Sequence, residues 1–297
     1  MKKFSERIQH IGDMIKDKKQ QVPDLSTKEI RSVESECTDV SQANFIPENK
    51  IMENNLPVSK KTQVPAPNVV LRSSLFGVVK RGNRSFEKNV LKASFNGYTV
   101  LFSGEQLDQS DLDVWLECLH RCQSTPLGHT VRFKPNDFLK SINRKNGKSD
   151  YLWLNESLWR LRVNDIVISD GKYTYSGSLI FNQYRNEETG ESCLVLNPEI
   201  AICFGDTAWT GIAKSIRLQL KGKPLTQWLY GFYSSHYKPL PIKVITLKEL
   251  CGSEVKELRK FRQMLKKSLS ELSTVTGWCC EIDSKDKVII KKVVKKN

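Results

Sequence analysis

Apolar positions recur with regular periods only from about Asn68 onward. VVLRSSLFGVVKRG (69–82) and ASFNGYTVLFSG (93–104) alternate apolar and polar residues between glycine breaks, which predicts strands. In EQLDQSDLDVWLECLHRC (105–122) the period lengthens: Leu107, Leu112, Trp115, Leu116 and Leu119 fall on one face of a helix. Its early acids suit the positive end of the helix dipole.

Two later stretches repeat one order of elements. In the first, the strand TVRFK (130–134) leads to a short helix, PNDFLKSI (135–142), and the loop NRKNGKS (143–149). A long helix, DYLWLNESLWRLRV (150–163), follows, then the strands DIVIS (165–169) and KYTYSGSLI (172–180), hinged at Asp170-Gly171. In the second, PIKVI (241–245) leads to the short helix TLKELC (246–251), with Thr246 as a suitable N-cap. After a turn at Gly252-Ser253 come the helix KELRKFRQMLKKSLSEL (256–272) and the strands WCCEID (278–283) and KVIIKKV (287–293). Two helices joined by a turn and closed by a hairpin make a helix-turn-helix with a wing. The predicted fold class is therefore α+β, with tandem winged-helix domains over 68–205 and 206–297. The segment SIRLQLKGKPLTQWLYGFYSSH (215–236) opens the second, on an apolar side of Leu218, Leu225, Trp228, Leu229 and Phe232. Pro224 predicts a kink or break after Gly222.

Residues 1–67 lack such patterning. They hold eleven Lys/Arg against ten Asp/Glu, and no aromatic besides Phe4 and Phe45. Such a segment buries too little apolar surface to offset its chain entropy, which predicts a disordered leader with at most a short amphipathic helix near 4–16.

Charge sharpens the picture. The 297 residues carry a net +14, almost all of it in 68–297, an excess that suits a polyanion, nucleic acid before an anionic membrane. No apolar run approaches the roughly 18 residues that span a bilayer. The start, MKKFSERIQHIGDMIK, has no apolar stretch of a secretory signal, so a cytoplasmic protein is expected. Eight scattered cysteines form no secreted framework. Cys118, His120, Cys122 and His129 lie close in sequence, but no second ligand pair at zinc spacing follows them. Reduced structural thiols are expected, with no metal and no cofactor.

Residues 258–272 carry the sharpest signal. Wound at 100° per residue, Leu258, Phe261, Leu265, Leu269 and Leu272 fill an arc of about 80°. Arg259, Gln263, Lys266 and Ser270 lie opposite within about 60°, flanked by Lys260, Arg262 and Lys267. A merely solvated helix usually mixes its signs there. Arg and Gln pair bidentately with guanine and adenine edges, and lysines suit phosphates. The first long helix differs: Leu154, Leu158 and Leu161 point inward, but the far side carries Leu152, Glu156 and Trp159. With Arg144, Lys145 and Lys148 just ahead, phosphate contacts fit better than base reading, and an interface with another protomer is the rival. Wing residues Lys172, Tyr173 and Tyr175, and the terminal KKVVKKN, are candidates for backbone contacts, with simple alternation across a strand as the other reading of the two tyrosines.

Enzymatic readings find little support. Gly147-Lys148-Ser149 resembles the end of a phosphate-binding loop, but Ile142 stands where that motif needs glycine. The four histidines, at 10, 120, 129 and 236, form no metal-holding pair beside a nucleophilic tyrosine. A non-enzymatic DNA-binding protein is expected.

The chain resembles the TrfA family of plasmid replication initiators. SLFGVVKRG (74–82), GEQLDQSDLDVW (104–115), FLKSINRKNGKSDYLWLNESLWRL (138–161) and YTYSGSLI (173–180) carry the likeness. It continues through NEETG (186–190), LNP (196–198), KGKPLTQWLYGFYSSHYKPLP (221–241) and LKELCGSEVKELRKFRQMLKKSLSEL (247–272). The resemblance implies binding to iterons, the direct repeats of a plasmid origin, and opening of adjacent AT-rich DNA, with contacts to its single strand. It implies recruitment of the host chromosomal initiator, the replicative helicase and the sliding clamp. It further implies tandem winged helices, the second giving most base readout, and a homodimer in equilibrium with a DNA-bound monomer. Clamp binding would fall on Leu75 and Phe76 within RSSLF, although Arg72 and Ser73 depart from the usual clamp peptide and the two apolar residues fit equally well as core anchors. A winged-helix transcriptional regulator without replisome loading is the alternative, and a scaffold meeting acidic proteins a further one.

Overall fold

The computed structural model describes residues 55–79, 82, 84–95, 97–169, 174–205 and 208–292. All of them fall in one compact unit, Ile51–Asn297. The expected helix near 4–16, most of the expected leader, Lys172, Tyr173 and most of KKVVKKN lie outside them.

The described chain opens with strand β1 (Gln63–Pro67) and a single helical turn, α1 (Asn68–Leu71). Strands β2 (Phe76–Gly77), β3 (Phe86–Lys92), β4 (Thr99–Glu105) and β5 (Leu107–Asp108) follow. Helix α2 (Gln109–Arg121) starts from a capping box: the Asp108 carboxylate accepts from the amides of Ser110 and Asp111 at 2.8 and 3.0 Å, and Asp111 accepts from the Asp108 amide at 3.1 Å. Leu112, Trp115, Leu116 and Leu119 of α2 are buried as the periodicity predicts, and the ring of Phe76 stacks on Trp115. Leu107 is buried too, but on β5 rather than on the helix.

Next come β6 (Thr130–Phe133), α3 (Pro135–Ser141) and α4 (Lys148–Val163), then β7 (Asp165–Ser169), β8 (Thr174–Gly177), β9 (Ile180–Arg185) and β10 (Ser192–Leu196). Past a 3-10 turn over Pro198–Cys203 the chain continues with β11 (Trp209–Ala213), α5 (Lys214–Gln219) and α6 (Pro224–Ser234). It closes with β12 (Ile242–Lys243), α7 (Val244–Leu250), α8 (Leu258–Thr276), β13 (Cys279–Ile282) and β14 (Lys287–Lys291).

Two equivalent units stand out. Sheet β6-β10-β9 closes over α3 and α4, and sheet β12-β14-β13 closes over α7 and α8. In both, the last strand lies between the other two, the strand order of a winged helix. The break between α5 and α6 falls at Gly222, whose φ of +79 suits only glycine without strain, and Pro224 opens α6 where its missing N–H costs nothing.

Three expectations need correction. The strands DIVIS and KYTYSGSLI are not the first wing: β7 and β8 extend a separate sheet, β3-β4-β7-β8, in which Val100 pairs with Ile168 and Phe102 with Ile166. The first wing is β9–β10, turned at NEETG, where the Asn186 side chain accepts from the amides of Glu188 and Thr189 at 2.9 and 3.0 Å. Alternation identifies a strand but not its partner. Second, the leader does not run to residue 67, because Gln63–Pro67 pairs antiparallel with β11 and buries Val64 and Ala66. Its prolines are tolerated because the ribbon has only two strands, so each keeps a free edge. Third, Thr246 is not the N-cap of α7; Lys243 holds that position and the helix begins at Val244.

Candidate nucleic-acid interface

Helix α8 is held from one side. Phe261, Leu265, Leu269 and Leu272 are buried, and Leu258 is partly so. Gly277, at φ +72, ends the helix and gives its amide to Ser273 at 2.8 Å. The same winding turns Arg259, Lys260, Gln263, Met264, Lys266, Lys267 and Ser270 to solvent.

Arg262 is placed differently. Its Nε donates to Asp286 Oδ1 at 2.7 Å and its Nη2 to Oδ2 at 2.8 Å. The hydrogen bond from Arg262 holds the Asp286 carboxyl below its ordinary range, and the same bond raises the guanidinium. Asp286 sits in the turn of the second wing, so the guanidinium braces wing against helix.

The first unit brings its cations to a different arrangement. Arg144 lies with its guanidinium carbon 3.3 Å from the Trp153 ring centroid and its Nη1 3.0 Å from Asp150 Oδ1. Lys145 and Lys148 are exposed. Lys148 joins Lys134, Asn136, Asn155, Arg185 and Gly190 along a groove between the starts of α3 and α4 and the β9–β10 turn. Sequence reasoning missed Lys134 and Arg185, the latter because β9 was not recognised as a wing strand. Leu152 and Trp159, 55% and 46% exposed, stand on the open face of α4 with Glu156, as read from the helical winding. Tyr175 is buried in β8, its hydroxyl donating to the Ser178 carbonyl at 2.6 Å, and takes no part in either face.

Leu75 and Phe76 are corrected outright. Each is only 1% exposed, and Phe76 is fixed by strand pairing with β5 and by Trp115, so neither is presented to a clamp. Cys118 and Cys122 are buried, and burial pushes the Cys122 thiol up to about 12. Among the described residues no three His, Cys, Asp or Glu side chains converge as a metal site, and no helix is long and apolar enough to cross a membrane.

Comparison with known proteins follows the same lines. The family described as TrfA protein matches residues 44–289, most of the chain. The chain belongs to the TrfA family. It is 23% identical over 215 residues to the plasmid replication initiator protein TrfA of Escherichia coli, covering 69% of this chain and 56% of that protein. It thus spans little more than half the length of that relative. Among solved structures, domains 2 and 3 of RctB superpose with a TM-score of 0.51 at 14% identity, over 76% of this chain and 96% of that one. The Pi initiator protein, solved in complex with iteron DNA, superposes with a TM-score of 0.51 at 13% identity, over 78% and 97%. At such identities the likeness is one of fold, and it supports the tandem winged-helix architecture for this TrfA-family chain.

Proposed function

We propose that this chain is a non-enzymatic plasmid replication initiator that binds iteron repeats at its origin. The observation that carries the reading is the solvent face of α8, where Arg259, Lys260, Gln263, Lys266 and Lys267 are all exposed and residues 258–270 contain no acid. A polyanion is the partner such a face fits, and the mixture of Arg and Gln with Lys suits base edges flanked by phosphates. Lys145 and Lys148 in the first unit add backbone contacts, with Arg144 positioned beside them. Membership of the TrfA family and the fold shared with Pi support the same target.

The finer parts of the proposal rest on the family. Bound to iterons, the protein opens the neighbouring AT-rich DNA, holds its single strand, and recruits the host chromosomal initiator, replicative helicase and sliding clamp. It works in the cytoplasm and exchanges between homodimer and monomer. The domain division at about residue 205 belongs to this reading too.

Titration of the full chain against its repeat-bearing origin duplex and a scrambled duplex, at physiological salt, is the test. Preference of about 10³-fold or more is expected of a specific binder. Equal binding to both would refute iteron recognition. A plasmid stripped of its own initiator persists when this protein is supplied in trans; an operator-binding regulator would not sustain it.

A further inference from the structure

Helix α2 belongs to neither helix-turn-helix, yet its acids are bonded to α4 of the first unit and to α5 and α6, which lead into the second. Asp111, fully buried, accepts from Arg160 Nη2 of α4 at 2.9 Å and from Ser157 Oγ of α4 at 2.6 Å. Two residues on, Asp113 Oδ1 accepts from Arg217 Nε of α5 at 2.6 Å, and its Oδ2 accepts from Gln227 Nε2 of α6 at 2.8 Å. Arg217, only 3% exposed, also reaches back to α2, donating to the Gln109 side chain and carbonyl at 3.1 and 3.0 Å. Next to Gln227, Thr226 Oγ1 donates to Glu271 Oε2 of α8 at 2.8 Å. Lys223 lies 3.5 Å from the other oxygen of Glu271. Three sets of polar contacts, joined along α2 between Asp111 and Asp113 and along α6 between Thr226 and Gln227, therefore link α4, α2, α5, α6 and α8. A second tie lies nearby, where Lys221 donates to the Asn143 carbonyl in the turn between α3 and α4.

These contacts are costly as a source of stability. Taking charges out of water offsets most of their attraction, and apolar replacements of the same volume often hold a core as well. What directional bonds among buried groups supply is a single geometry, since each donor satisfies its acceptor in only one arrangement. Neither Asp113 nor Arg217 stands on the solvent face of α4 or α8.

We infer that Asp113, Arg217 and the Thr226–Glu271 link are positioning residues that hold α4 and α8 at one fixed separation, so that the protein measures the spacing between two DNA contacts within one repeat. This rests on the DNA-binding reading above. The two helices act as the ends of a ruler. Inserting base pairs between the two contacts displaces one by about 3.4 Å and rotates it by about 34° per pair.

The test uses the full chain and origin duplexes with zero, one, two or five base pairs inserted at the centre of the repeat. Wild type loses about 100-fold in affinity at two inserted pairs, because one set of contacts is forfeited. Thr226→Val, which keeps the side-chain shape, and Asp113→Asn bind the intact repeat about tenfold more weakly, since pre-organisation is lost. They then fall only about fivefold further on insertion, because a looser ruler adapts. A purely structural role predicts lower melting temperatures with parallel insertion curves, and that result would overturn the inference.

A second measurement needs no DNA. Nitroxides placed at Asn155 and Ser270 through non-cysteine chemistry report the α4–α8 distance by pulsed electron resonance. A narrow distribution in wild type that broadens in both variants is expected; identical distributions would overturn the ruler. Should wild type fail to prefer the repeat over scrambled DNA, the proposed function falls and the ruler with it, whereas repeat preference with unchanged distance distributions overturns the ruler alone.

Discussion

Arg262 on α8 and Asp286 in the turn of the second wing, 24 positions apart in sequence, are joined by two parallel hydrogen bonds at 2.7 and 2.8 Å. The pair converts a cation that the helical winding assigns to the DNA face into a brace for the wing. Asp286 has φ +58, a backbone conformation that Asp and Asn tolerate better than most residues.

Asp286→Asn is accordingly expected to fold normally and to free Arg262 for a phosphate. The slope of log affinity against log salt should steepen by about 0.9, on repeat and scrambled duplex alike. An unchanged slope would mean that Arg262 stays on the wing without its charged partner.

Exposed residues of α8 divide by chemistry. Gln263→Ala and Arg259→Ala should cost about 1–3 kcal/mol each on the repeat and much less on scrambled DNA. Lys266→Ala and Lys267→Ala should weaken both duplexes equally. Competition titrations with single-base variants of the repeat check this, and full retention of discrimination by Gln263→Ala would remove it from base reading.

Leu75→Ala should unfold the protein more easily by about 2–5 kcal/mol, the cost of a cavity beneath β2. Urea denaturation reads this directly. A change near zero would show that the segment is not locked in the core, and would reopen its availability to a clamp.

Acid should loosen the start of α2. Burial alone would raise the Asp108 carboxyl, but the Arg84 guanidinium and hydrogen bonds from Ser110 and Asp111 hold it below its usual range. Its contribution is therefore fully present above the unfolded value of about 3.9 and is lost as pH falls through the lower folded value. Asp108→Asn keeps a capping oxygen without the titration. Its melting temperature should be lower than wild type at neutral pH and converge with it as pH falls below the unfolded value of about 3.9. A gap that stays constant on acidification would assign the effect elsewhere.

The sequence by itself determined what depends on local period. The burial of the apolar stripes of α2, α4 and α8, the cationic opposite side of α8, and the break at Gly222 all follow from residues three or four apart, or from backbone limits of Gly and Pro; that Val114, Glu117 and Cys118 on the other sides of α2 are buried as well does not. The repeated short helix, turn and long helix marked two winged helices for the same reason, although the strands read as the first wing were the wrong ones, and the TrfA-family blocks were legible as written. Tertiary structure decided what depends on distant partners. DIVIS alternates as any half-buried strand does, so nothing local told it to pair with β4 rather than to form a wing. Leu75 and Phe76 read equally well as a presented peptide or a core anchor until β5 and Trp115 closed over them. Arg262 looks like a free cation until Asp286 is brought beside it. The acids of α2 gain meaning only when α4, α5 and α6 supply their donors. Chain-distant pairing is set by which surfaces bury together, and a period along the sequence carries no record of that choice.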